Sequence, residues 1–326
     1  MRVFIAFAAA LLAVCALPAQ EQWTSFKAKH GKSYGNIVEE KVRFQIFQDN
    51  VQKINAHNAL FEAGLKTYTM AVNQFTDLTP KEFRDRLRRQ NGPITKETLI
   101  RHVQNGTAPD SIDWREKTLV SRVQDQGECG CCWAFSTVGV TEGQNAIKNN
   151  QREPLSVQQL VDCNTQIIEN VTITGCNGGT VEAGYRYVIK HGLNSDAEYP
   201  FEATDDNCRA KNYSLVKVKQ GVAVDPTESA LKEAVGTIGP ISVGMNADAL
   251  QSYHSGILED DTCGNDEDDL DHAALAVGYG TENGKKFWLI KNSFGVNWGE
   301  DGFFRLARDA NNQCGIALWS SYPILA

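Results

Sequence analysis

After its first residues the sequence has no apolar run long enough to cross a bilayer, which takes about 20 consecutive apolar residues. That argues against a membrane-spanning chain. No segment repeats, which argues against a repeat architecture. Basic charge is scarce in the larger part of the chain. The whole carries −8, yet residues 1–107 stand at +6 and the remainder at −14. An acidic main part argues against nucleic acid as a partner. The opposite sign at the front suggests two parts that bind each other. Metal-ligand spacing is missing as well: the acid-rich stretch 260–271 lacks the regular ligand pattern of a calcium loop and reads as solvated. No metal and no organic cofactor is expected.

What is present begins with a leader. Met1 and Arg2 give a short basic start, residues 4–17 are apolar, and the small residues Ala16 and Ala19 follow. This pattern reads as a secretory signal peptide over residues 1–19. Export changes how cysteine is read. Of nine cysteines, Cys15 lies in the leader, and eight remain to be used in an oxidising compartment. The sequons at Asn105, Asn170 and Asn212 fit the same route and are candidate glycosylation sites.

Residues 21–90 look helical, with Phe47, Ile54 and Phe61 on one apolar stripe. Residues 91–107 are poor in large apolar side chains and read as an exposed linker, a place for a proteolytic nick. The character changes at Ala108. Helices are expected from Cys132 to about Asn149, from near Ser156, and over 181–191 before Gly192. Strands follow at 241–243, 273–279 and 286–291. Helices first and strands afterwards predict an α+β chain of two lobes.

The stretch QGECGCCWAFS at 126–136 has three cysteines within four positions. A metal cluster, a disulfide knot and a single reactive thiol are the alternatives. Zinc fits poorly, because C-x-C-C is the wrong spacing and no His or second Cys pair lies nearby. A nucleophilic cysteine needs its thiolate, and a free thiol titrates at about 8.5. A helix N-terminus lowers that value. Cys132 stands where a Gly-containing turn enters a helix, which favours it over Cys129 and Cys131. A partner histidine is then required. His191 ends a helix beside Gly192, and His254 sits in a predicted loop. His272 opens a strand, and a turn at 282–284 leads to a second strand ending at Asn292. Positions 272 and 292 are symmetric about 282, so a hairpin would bring His272 and Asn292 to one end of the sheet.

Together these segments resemble the papain family of cysteine proteases, nearest the cathepsin L group. The carriers are QGECGCCWAFS, GCNGG at 175–179, DHAALAVGYG at 271–280, WLIKNSFGVNWG at 288–299 and CGIA at 314–317. The front half is similar to the family's inhibitory propeptide through Glu39, Arg43, Phe47, Asn50, Ile54 and Asn58. A second motif matches at Asn73, Phe75 and Asp77, with Ala71 where Gly is usual. The resemblance implies a helical propeptide over 20–107 and a mature papain-like peptidase over 108–326, with a helical left lobe and a β-barrel-like right lobe. It implies an endopeptidase acting through a thioester. Cys132 is then the nucleophile, His272 the base and acid, Asn292 its orienter and Gln126 a side-chain donor to the oxyanion.

The resemblance implies the disulfides Cys129–Cys176, Cys163–Cys208 and Cys263–Cys314. Cys131 is left over at a position where Ser is usual. It assigns substrate contacts to Gly178, Gly179, Val181, Gly244, Leu270, Ala273, Trp298 and Trp319. Trp319 at the floor of the pocket for the second residue before the cut implies a shallow, apolar pocket. Phe294 replaces the usual Trp over the His–Asn pair. Expected partners are protein and peptide substrates, the chain's own propeptide and cystatin-like inhibitors. The expected form is a monomer, secreted or lysosomal. The rival readings are an inactive binding protein of the same fold and an acyl transferase with the same triad.

Overall fold

The structure is a computed structural model that describes residues 18–87, 99–165, 167–168, 171–211 and 214–326. Residues 1–17 of the leader, residues 88–98, which include the start of the linker, and the sequons at Asn170 and Asn212 lie outside the described residues.

The front segment comprises α1 (Ala19–His30), α2 (Ile37–Glu62), β1 (Tyr68–Met70), α3 (Pro80–Leu87) and β2 (Ile100–Arg101). Next come β3 (Ile112–Asp113), α4 (Cys132–Asn149), α5 (Val157–Cys163), the pair β4 (Ile167–Ile168) and β5 (Val171–Thr172), and α6 (Val181–His191). The back of the chain holds β6 (Val218–Ala223), α7 (Glu228–Thr237), β7 (Ile241–Met245), β8 (Tyr253–Leu258), β9 (His272–Glu282), β10 (Lys285–Lys291), β11 (Phe303–Ala307) and β12 (Ser320–Leu325). The fold is the expected α+β arrangement, with helices in one lobe and sheet in the other.

Local chemistry sets the boundaries. Thr180 caps α6 by accepting the Ala183 N–H, and Gly192 ends it at φ 72° while donating to Val188 O. Ser156 caps α5 through the Gln159 N–H. α4 differs, because Cys131 at its N-cap gives no side-chain hydrogen bond. The positive end of α4 is therefore left to whatever sits at Cys132. One apolar core fills the helical lobe, with Trp133, Val138, Leu160, Ala183 and Val188. Another lies on the sheet, with Val243, Ala276, Trp288, Ile290 and Phe304. α4 runs between them, contributing Val140 to the second and Val138 to the first.

The sheet runs β1-β8-β11-β10-β9-β7-β12-β6-β2, with β3 on β9. Both outer strands belong to the front segment. β1 pairs antiparallel with β8, and β2 pairs parallel with β6. Exposed strand edges attract other strands, and here the chain covers its own. His254 accordingly lies in strand β8 rather than in a loop. The sequence signal for β8 was weak because its partner is a distant segment.

Polar residues of α2 hold the rest of the front segment in place. Asn50 Nδ2 donates to Thr76 O and Leu78 O, each at 2.8 Å. Asn58 exchanges two hydrogen bonds with the backbone of Met70. Arg43 reaches Asp77 O and the Glu82 carboxylate. That pinned stretch then docks on the main domain: Ala71 N–H donates to Ser252 O, Asn73 Nδ2 to Gln251 O, and Gln251 Nε2 to Leu78 O.

Four expectations are corrected. Phe61 is 39% exposed and does not continue the buried stripe of Phe47 and Ile54, since α2 ends one residue later. Opposite net charge is not what joins the parts. Within the front segment Lys27 pairs with Glu40, Lys32 with Asp77, Arg43 with Glu82 and Lys81 with Asp85. Among the described residues, the Arg pairs that cross to the main domain are Arg84–Asp248, exposed on both sides, and Arg86–Glu128, 4.0 Å apart with Glu128 in solvent, and such pairs contribute about 0–1 kcal/mol each. The linker is partly held rather than wholly exposed. His102 is buried, with Nε2 on Glu233 and Nδ1 3.0 Å from Tyr322 Oη. At the far end of the acid-rich stretch 260–271, Asp271 is likewise buried and accepts the Ala247 N–H, so that stretch is not solvated throughout.

Asn50→Ala takes the side-chain donor from Thr76 O and one of two from Leu78 O, which keeps that of Gln251, and should lower the stability of the intact chain by about 1–3 kcal/mol. Calorimetry of the variant checks this; an unchanged unfolding transition contradicts the pinning role.

Candidate active site

Three disulfides are formed, Cys129–Cys176, Cys163–Cys208 and Cys263–Cys314, and Cys131 and Cys132 are buried free thiols. The first bond ties the loop before α4 to the Gly175–Asn177 turn. Cys132 is the first residue of α4. α4 packs on β9, where Ser136 Oγ donates to Ala274 O at 2.7 Å. The Cys132 thiol is pushed up to about 11 by burial, opposed by backbone hydrogen bonds from Ala273 and Trp133. Burial pushes the Cys131 thiol well above its ordinary value, with its Sγ 3.7 Å from Cys129 O.

His272 and Asn292 meet, though not by the symmetry expected. The turn residues are Asn283 and Gly284, both at positive φ, and Glu282 pairs with Lys285. That register, continued without interruption, would set Asn292 opposite Leu275, on the other face from His272. An irregularity at Leu289/Ile290 shifts the pairing: Leu289 faces Gly278 but Ile290 faces Ala276. The extra residue on β9 moves Asn292 opposite Ala274, which shares a face with His272. A diagonal reach then closes the contact, and Asn292 Oδ1 lies 2.8 Å from His272 Nε2.

The proton on this ring can be assigned. Asn292 Oδ1 also accepts the Ser293 N–H at 2.9 Å, which fixes the orientation of the amide. Oδ1 only accepts, so His272 Nε2 carries the hydrogen and donates it. His272 Nδ1 is buried with no hydrogen-bond partner. It is the basic nitrogen of the neutral ring. Burial depresses His272 to about 4, and the Asn292 hydrogen bond opposes this. Ser293, which sequence reasoning passed over, extends the network: its Oγ donates to Gln126 Oε1, and Gln126 Nε2 donates to Cys129 O at 2.9 Å. Adjacency to Asn292 was the only signal for it.

Phe294 is 5.1 Å from the His272 ring. Phe75 and Phe83 of the front segment stand edge-on to it, and Trp298 packs on its other side. Gln74 Nε2 adds a 2.7 Å hydrogen bond to Phe294 O. The smaller ring in place of Trp is therefore completed by two phenylalanines from the front segment.

A cavity beside His272 is lined by Trp133, Gly179, Val181, Glu182, Gly244, Ala273 and Trp319. Five of the expected substrate contacts meet here. Gly178 stands next to them at φ 120°, a conformation that favours glycine. At Gly179 a side chain would strike the Trp133 indole at 2.6 Å, so packing alone demands glycine there. Gly244 donates to Trp319 O at 2.7 Å, and a Cβ on it would crowd the Trp319 side chain at 3.0 Å. Two expected residues lie elsewhere. Leu270 is buried against Gly315, and Trp298 is fully buried beneath Phe294, donating to Leu250 O. Glu182, a wall of the cavity, was not singled out in the sequence because a Glu in the first turn of a helix is commonplace.

The arrangement is that of a covered thiol–imidazole hydrolase. Comparison with known proteins agrees. Residues 108–324 match the papain family cysteine protease, and residues 23–83 match the cathepsin propeptide inhibitor domain. A cathepsin L-like proteinase of Phaedon cochleariae is 45% identical, over 100% of both chains. Digestive cysteine proteinase 1 of Homarus americanus is 42% identical, over 94% of this chain and 95% of its own. The solved digestive procathepsin L 3 of the Tenebrio molitor larval midgut superposes with a TM-score of 0.88 at 40% identity, covering 95% of this chain and 100% of its own. The chain belongs to the papain family, as a cathepsin L-like cysteine peptidase made as a zymogen with its own inhibitory propeptide.

Phe75→Ala removes an aromatic contact that completes the cover over His272, and large-to-small changes of this kind cost about 3–5 kcal/mol. The variant zymogen should process faster than wild type at the same pH. Time courses on gels check this, and equal rates contradict a covering role for Phe75.

Proposed function

We propose that Cys132 is the nucleophile of an endopeptidase and His272 its base and acid. The observation that carries this is the buried His272 ring, tied to Asn292 through one nitrogen and with the other unpartnered, beside the open N-terminus of α4. Proton transfer from the thiol to Nδ1 creates a thiolate and an imidazolium. The thiolate attacks the scissile carbonyl, and the oxyanion receives the Cys132 backbone N–H and the Gln126 amide. His272 gives its proton to the leaving amine. A thioester remains, and water activated by the same ring hydrolyses it. Losing one oxyanion donor costs about 3–4 kcal/mol.

In the covered state both members of the pair are neutral, since burial raises the thiol and lowers the imidazole. Removing the propeptide admits water and lifts both penalties. The sign for acid follows. Below the ordinary imidazole value of about 6.5, proton uptake favours the uncovered ring, so the covered state loses stability as pH falls from 6.5 toward 4. Processing should therefore be faster in acid; faster processing at neutral pH contradicts this. Domain limits of 20–107 and 108–326, entry into the secretory pathway with digestive or lysosomal use, a monomeric mature form and inhibition by cystatin-like proteins belong to the same proposal. So does a glycan at Asn105, which is exposed.

After acid activation, a thiol-alkylating epoxide should modify one equivalent of Cys132 and abolish peptide hydrolysis. Modification elsewhere with loss of activity refutes the assignment. The Trp319 side chain across the cavity should make Val- or Pro-sized residues better than Phe at the second position before the cut, by about tenfold. Matched Val and Phe peptides test this, and a clear Phe preference overturns it.

A further inference from the structure

Glu182 is the second residue of α6 and only 4% exposed. It lines the cavity with Trp133, Val181 and Trp319. The Thr180 side chain and the backbone of its own helix start hydrogen-bond to its carboxylate. Its Oε2 is buried with no hydrogen-bond partner. A buried carboxylate oxygen without a donor is costly, and natural folds rarely leave one without cause.

We propose that Glu182 is a specificity-determining residue of this pocket, receiving the cationic head of a Lys or Arg side chain at the second substrate position before the cut. The inference rests on reading the cavity as that subsite. Trp319 works against a rigid Phe ring in this pocket, whereas a flexible Lys or Arg stem can bend along the wall toward Glu182. Trp133, Val181, Ala273 and Trp319 offer apolar surface to an aliphatic stem. Trp319 offers an indole face to a cation. A lone carboxylate on one wall supplies the counter-charge at the end of the stem.

The preference depends on whether Glu182 is ionised. Burial raises it to about 7, with hydrogen bonds from its own backbone and Thr180 opposing, and attraction to Arg186 the smallest effect. Arg186 and the neutral Tyr185 are the other titratable groups of α6 beside it. β7 brings the Ser242 hydroxyl to the cavity, β12 brings Ser321, and β9 brings His272. Below about 7 the acid is neutral and the pocket takes apolar side chains. Above it, the carboxylate is charged and a guanidinium or ammonium supplies the missing donor. Any protonation of His272 affects the hydrolysis of all substrates alike and cancels in a ratio.

The test measures kcat/KM of the mature enzyme on two peptides that differ only in Arg or Val at that position, from pH 5 to pH 8. The Arg/Val ratio should rise at least tenfold across that range in wild type. In Glu182→Gln the ratio should stay flat and lie about tenfold below wild type at pH 8. A flat wild-type ratio, or an equal rise in the variant, overturns the proposal. Should the variant not fold, the wild-type profile decides alone. Hydrolysis of the Val peptide with a flat ratio overturns only the role of Glu182; hydrolysis of neither peptide overturns the peptidase reading with it.

Discussion

The structure depends on one juxtaposition between lobes. A helix that begins at Cys132 packs on the strand that begins at His272, so a thiol of the helical lobe and an imidazole of the sheet lobe stand at the starts of two packed elements. Neither lobe holds the site alone. The first disulfide and the Ser136–Ala274 hydrogen bond fix the helix. A β-bulge and the Asn292 hydrogen bond fix the ring. The two cores on either side of α4 hold these elements in place.

The propeptide uses the same constraint in reverse. It adds a strand to each outer edge of the sheet and lays Phe75 and Phe83 on Phe294, next to His272. Covering the site removes water, and without water neither the thiolate nor the imidazolium is favoured. Inhibition is thus physical exclusion joined to a shift in protonation. The Arg–carboxylate pairs between the parts play a small role, because each has a solvated carboxylate. The clamp of His102, Glu233 and Tyr322 holds the chain just ahead of Ala108. Glu233 stays below the usual carboxylate range: burial pushes it up, but hydrogen bonds from His102 and Gly106 outweigh that. That hold persists above the usual carboxylate value and is lost only as pH falls below it.

Much of this was legible in the sequence wherever a signal was local. The starts of α4, α5 and α6, and the Asn283-Gly284 turn, followed from caps and turn residues. The motif resemblance brought Cys132, His272 and Asn292 forward. What escaped depended on distant partners. Strand β8 had no visible partner until β1 was found against it. The bulge that sets Asn292 on the face of His272 leaves no mark in composition, and simple symmetry happened to name the right pair for an incomplete reason. Phe61 fitted a helical stripe that the helix does not bury. Glu182 looked like an ordinary first-turn acid until the cavity beside it was seen.

The central claim is that cover, not the absence of machinery, keeps the thiol unreactive. The most direct measurement is the rate of Cys132 alkylation by a small neutral reagent, as a function of pH, before and after the propeptide is removed. The account predicts reaction only in alkali for the zymogen. For the mature form it predicts a plateau from weak acid to neutrality that disappears in His272→Ala. Identical pH profiles in the two forms would contradict it.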